Sequence, residues 1–75
     1  MRVRTPGMST KGLFLIIETH LIENGPSTCD QLAAANPDIE KSDLRDALKM
    51  LNGRSIVRVP GSSVAVYEFH GRRYA

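Results

Sequence analysis

The stretch TCDQLAAANPDIEKSDLRDALKMLNGRSIV, Thr28–Val57, decides how this chain folds. Thr28 and Gln31 have the spacing of a capping box, in which the threonine hydroxyl accepts from the backbone N–H three residues on and the glutamine side chain accepts from the cap N–H. They open a short helix, Gln31-Leu32-Ala33-Ala34-Ala35, whose alanines permit close packing. Asn36-Pro37 closes it, because a proline drives the residue before it out of the helical region. A further helix starts near Glu40 and sets Leu44, Ala47, Leu48 and Leu51 on one face. Lys41, Ser42, Arg45, Lys49 and Asn52 fall on the other, with Asp46 toward one edge, and Asn52-Gly53 ends the helix.

Upstream, Ser9 or Thr10 can cap a first helix in which Leu13, Ile16, Ile17, His20 and Leu21 recur on one face with Phe14 beside them. Gly25 supplies its left-handed stop and Pro26 forbids continuation. Met1 to Met8, with Pro6-Gly7, reads as an irregular or extended arm. Downstream the preferences change to Val, Ile, Tyr and Phe. Ile56-Val57-Arg58-Val59 and Val64-Ala65-Val66-Tyr67-Glu68-Phe69 flank Pro60-Gly61-Ser62-Ser63, predicting a β-hairpin with a projecting tip. The chain divides into a flexible basic arm over 1–10, a folded domain over 11–70 and a basic tail over 71–75.

The order helix, helix, helix, strand, strand over residues 12–70 resembles the winged helix-turn-helix domains of bacterial, archaeal and phage regulators. The resemblance is carried by Gln31-Leu32-Ala33, by Leu44, Leu48 and Leu51 at intervals of four and three, and by the polar link Asn52-Gly53-Arg54-Ser55 into Ile56-Val57. The glycine usual in the turn is missing, Asn36-Pro37-Asp38 makes that connection slightly longer than usual, and Ser55 stands where glycine often precedes the wing strand. The resemblance implies an α+β fold of three helices followed by a two-stranded β-hairpin wing. It also implies sequence-specific binding of double-stranded DNA by a small transcriptional regulator, with helix 40–52 in the major groove and hairpin 56–69 as the wing.

On that reading the DNA-binding residues are Lys41, Ser42, Arg45 and Lys49 on the helix, Arg54 and Arg58 at and on the first wing strand, and Ser62 and Ser63 at the tip. Arg72 and Arg73 in the tail complete the set. Lys41, Arg45 and Lys49 are spaced by four and form one stripe, suited to phosphates or guanine edges. Asp43 and Asp46 on the same helix oppose this, since a carboxylate facing phosphate costs affinity.

Composition bounds the alternatives. At 75 residues there is room for one domain, with none left for a ligand-sensing module. A single cysteine forms no internal disulfide, which points to a reducing, cytoplasmic setting. The longest apolar run, Leu13–Ile17, is far short of the roughly 20 residues that span a bilayer, and no secretory leader is evident. The net charge of +2 hides a division: residues 1–11 and 54–75 each sum to +3, while 12–53 sum to −4. Phosphate neutralisation would therefore fall to the flanks and one helix face.

Cys29 lies at a helix start but reads as a small buried hydrophobe. His20 and His70 share no metal-ligand spacing with it or each other. Thr19 and Ser27 have no base arranged beside them, and Phe14, Tyr67 and Phe69 read as core rather than a stacking platform. The sequence therefore points to no enzyme, no cofactor and no metal. Leu15 and Ile22 fall off the main face of the first helix and are the candidate surface for a homodimer. The alternative function is a winged-helix protein-protein interaction module, for example a small phage protein binding a host complex.

Overall fold

The structure, a computed structural model, describes residues 10–73. Of the expected arm over 1–10, residues 1–9, with Arg2, Arg4 and the alternative cap Ser9, lie outside these residues, as do 74–75 of the tail, while Thr10 begins the first helix. Helix α1 spans Thr10–Asn24 and stops where expected: Gly25 takes φ +80° and its N–H donates to the Leu21 carbonyl at 2.9 Å. Helix α2, Cys29–Ala35, opens on the predicted capping box. The Gln31 N–H donates to Thr28 Oγ1 at 3.1 Å and the Thr28 N–H donates to Gln31 Oε1 at 2.8 Å. At the other end Asn36 donates from its backbone to Ala33 and from Nδ2 to Leu32, so the turn at Asn36-Pro37 satisfies carbonyls the helix leaves open. Helix α3, Lys41–Leu51, follows.

Two expectations of the sheet are corrected. The sheet has three antiparallel strands, not two: β1 (Ser27–Thr28), β2 (Ile56–Arg58) and β3 (Val66–Phe69), in the order β1-β3-β2. Ser27 pairs with Tyr67 and Thr28 with Val66, so the residue that caps α2 is also a strand residue. The hairpin connection is also longer than Pro60–Ser63. The ladder runs from Ile56 opposite Phe69 to Arg58 opposite Tyr67, and a Val59 N–H to Val66 carbonyl bond of 2.7 Å closes it. Beyond that bond Val64 is exposed and joins the tip, since no neighbouring strand covers it.

The core fills the space between the helices and the sheet, with Ile17, Leu32, Leu44, Leu48, Leu51 and Ile56 fully buried. The face of α3 is as the spacing predicts, with Asp43 added at its edge. The face of α1 is not. Its buried residues are Leu13, Phe14, Ile17, Glu18 and Leu21, whereas Ile16 and His20 are only half-buried. The helix is rolled toward Phe14 and packs against both α3 and β3. Tyr67 and Phe69 pack on the core from the sheet, as read from the sequence. Among the described residues no helix is long and apolar enough to cross a membrane.

Candidate nucleic-acid interface

The solvent face of α3 is built by its core face. Burial of Leu44, Ala47, Leu48 and Leu51 fixes the rotation of the helix, which leaves Lys41, Arg45 and Lys49 exposed on successive turns. Rising 1.5 Å per residue, the three span about 12 Å along the axis. They are not equivalent. Lys41 is ion-paired with Asp30 on α2, and this hydrogen bond and charge hold the Asp30 carboxyl below its ordinary range. Arg45 and Lys49 form no ion pair among the described residues. Lys49 also lies in the last turn, where a cation complements the helix dipole. Asp43, one of the two acids expected to oppose phosphate, is 5% exposed and turned into the domain. Asp46 stays exposed and Ser42 half-buried.

The link from α3 to the sheet is a constructed joint. Gly53 takes φ +86° and its N–H donates to the Ile56 carbonyl at 2.9 Å, while the Asn52 N–H donates to the Leu48 carbonyl. Asn52 Oδ1 then accepts from the Arg58 N–H at 3.2 Å, tying the helix end to β2. In the sequence Asn52 reads as a helix stop and a further polar contact, and nothing there signals that its side chain reaches six residues along the chain. Arg58 is exposed at the end of β2. At the tip Ser63 is exposed and Ser62 half-buried beside Gly61, whose φ is +87°.

The remaining three predicted residues gather elsewhere. Arg54, Arg72 and Arg73 line a hollow of about 160 Å³ with Ser55, at the end of the sheet where the His70 N–H donates to the Ser55 carbonyl at 2.7 Å. Arg73 is already engaged: its Nη2 donates to Thr19 Oγ1 at 3.1 Å and its Nη1 stands 3.6 Å from Glu18 Oε1. The wholly buried Glu18 was hidden in the sequence by the apolar run around it. Arg73→Ala removes that counter-charge. Breaking a buried pair costs about 3–5 kcal/mol, but Arg73 is 39% exposed and its contact is long, so the expected loss is nearer ~1 kcal/mol in a urea titration. An unchanged midpoint would mean Glu18 is held without the tail.

Cys29 sits half-buried at the start of α2, its Sγ 3.9 Å from the Lys41 carbonyl. Burial pushes its thiol up, against the nearby charges of Lys41 and Arg45. A second hollow, about 370 Å³, opens between α1 and the end of α2 and is lined by Leu15, Ile16, His20 and Ala35 among others. Comparison with protein-family models, with curated proteins and with solved structures finds no match to this chain.

Proposed function

We propose that the chain binds duplex DNA as a small transcriptional regulator, with α3 in the major groove and the β2–β3 hairpin as a wing. One observation supports this best. Arg45 and Lys49 stand exposed on successive turns of a helix whose opposite face is locked in the core and whose end is tied through Asn52 to the wing strand bearing Arg58. Such a unit holds its cations at fixed spacing, so less conformational entropy is lost when they meet phosphates or base edges. Burial of Asp43 removes one of the two acidic objections from the helix surface.

The test is fluorescence anisotropy of a labelled random duplex at low and near-physiological salt. Binding that weakens steeply as salt rises is the expected result, because each neutralised phosphate releases condensed counterions. Absence of binding at low salt would sink the proposal. A second expectation follows from the Lys41–Asp30 pair. Asp30→Asn frees a cation at the start of α3, and duplex affinity at low salt should rise by about twofold or more. An unchanged affinity would place Lys41 outside the contact.

A protein-docking role is favoured by a different surface. Leu15 and Ile22, each 47% exposed, lie two turns apart on α1, and Leu15 also lines the 370 Å³ hollow. A partner recovered from nuclease-treated native lysate and lost on Leu15→Lys would support that reading; loss of the partner on nuclease treatment alone would remove it.

A further inference from the structure

Helix α1 is apolar on both of its sides. Leu13, Ile17 and Leu21 enter the core, while Leu15 and Ile22 stand outside and Ile16 is half-buried next to Leu15. A single exposed leucine needs no explanation, but a helix that is apolar all round is ordinarily covered all round. Leu15 and Ile22 are seven residues apart, so they form one line about 10 Å long on the helix surface. Thr19, between them in the chain, accepts from Arg73, whose charge is met by Glu18. The charges of α1 that reach solvent lie at its two ends, and they are reversed. The N-terminus of a helix is the positive end of its dipole and the C-terminus the negative end. In α2 and α3 the ends follow that rule, with Asp30 and Asp43 in first turns and Lys49 in a last turn. In α1 the first turn has no acid and the last turn no base. Lys11 stands in the first turn and Glu23 in the last, both exposed, so each opposes the dipole of its own helix. Neither forms an ion pair among the described residues.

We propose that the outer face of α1 pairs with the same face of a second copy of this chain, the two helices running antiparallel about a two-fold axis at the level of Thr19. In that arrangement Leu15 of each copy meets Ile22 of the other, once on either side of the axis, and both exposed apolar residues are covered. Lys11 comes to the C-terminal end of the second helix, within about a turn of its Glu23, and Glu23 comes to the N-terminal end. Charges that oppose their own helix therefore complement the neighbouring one. A parallel pairing would set Lys11 against Lys11 and Glu23 against Glu23 and leave both mismatches in place. The charge pattern of this face is complementary to its own reverse, which is what a two-fold interface requires and what an unrelated protein has no need to match. One 15-residue helix is about 22 Å long and falls short of the roughly 800 Å² per partner that stable interfaces bury, so the dimer is weak, with a dissociation constant on the order of 100 µM. The inference uses the same face as the protein-docking reading but commits it to a second copy, and it does not depend on α3 contacting DNA.

Sedimentation equilibrium of the whole chain without DNA, over about 20 µM to 1 mM at low salt, reads the mass directly. The expected result is a rise from the monomer mass toward twice that value. Leu15→Lys, at an exposed position, weakens association about tenfold or more by placing an unpaired charge in the contact. Glu23→Lys weakens it about tenfold, because Lys11 then meets a lysine at both ends of the pair. That variant keeps its fold, since a cation in the last turn suits the dipole of α1 itself. Glu68→Lys, on an exposed acid of β3, makes the same change in net charge and leaves association within about twofold. Lys11→Glu combined with Glu23→Lys restores opposite charges between the two copies and recovers part of the loss. A monomer mass at the highest concentration overturns the proposal and leaves the face to a different protein. A dimer that Leu15→Lys leaves intact overturns it too, as does one that Glu23→Lys weakens no more than Glu68→Lys, the behaviour of a parallel pair or of another face. Because no DNA is present, failure of duplex binding and failure of self-association are read separately.

Discussion

Leu44→Ala leaves the domain largely unfolded at 37 °C. Leu44 is completely buried in the middle of the cluster that joins α1, α2, α3 and Ile56 of β2. Truncating such a leucine removes its transfer free energy and leaves a cavity, together about 2–5 kcal/mol. A single core in a chain this short rarely supplies more than ~3–5 kcal/mol of net stability, and no disulfide reinforces it. Loss and reserve are therefore of the same size. Each kcal/mol moves the midpoint of so small a domain by roughly 4–8 °C, so thermal unfolding by circular dichroism should show a fall of well over 10 °C. Met50→Ala is the matched control. It lies on the same helix but is 54% exposed, and surface substitutions usually stay within about 0.5 kcal/mol. Equal midpoints for the two variants would mean that α3 does not turn its leucines inward, and the assignment of Arg45 and Lys49 to its outer face would fall with it.

How far the sequence reveals this arrangement depends on the distance between the residues that decide each feature. The α2 cap was legible because Thr28 and Gln31 satisfy each other within one turn. The α3 face was legible because Arg45, Asp46 and Lys49 interrupt Leu44, Leu48 and Leu51, so one rotation buries the leucines and leaves the charges outside. In α1 the run Leu13-Phe14-Leu15-Ile16-Ile17 is apolar all round, and periodicity cannot choose among rotations. Packing against α3 and β3 chose the one that buries Glu18 and leaves Leu15 outside. Strand β1 has two residues and no alternation to read, and it exists because β3 offers it a partner from the far end of the chain. The same limit governs the site. Spacing alone gave the stripe on α3, but the pairing of Lys41 with Asp30 joins two helices. The return of Arg73 to Thr19 joins positions 54 apart. Only the folded chain separates the ten predicted residues into a set on α3 and the β2–β3 hairpin and a cluster around Ser55.

The separation gives the DNA-binding proposal its most demanding test, the double variant Arg45→Ala, Lys49→Ala. Both side chains are exposed and form no ion pair among the described residues, so their removal should leave the thermal midpoint nearly unchanged. If each meets a phosphate, the slope of log affinity against log salt falls by about two, one for each lost contact. If Arg45 instead reads a guanine edge, the slope falls by about one and discrimination weakens by a further ~1–3 kcal/mol at one base position. Either way, affinity at low salt drops on the order of a hundredfold, the sum of two contacts of about 1–2 kcal/mol each. Lys11→Ala supplies the comparison for net charge, being an exposed cation on α1 rather than on α3. A general electrostatic attraction responds to Lys11 as much as to Arg45 or Lys49. A docked recognition helix responds to the α3 pair and is indifferent to Lys11. Equal losses from all three sites would therefore reduce the protein to a diffuse polycation for DNA, and unchanged binding in the folded double variant would remove α3 from the interface.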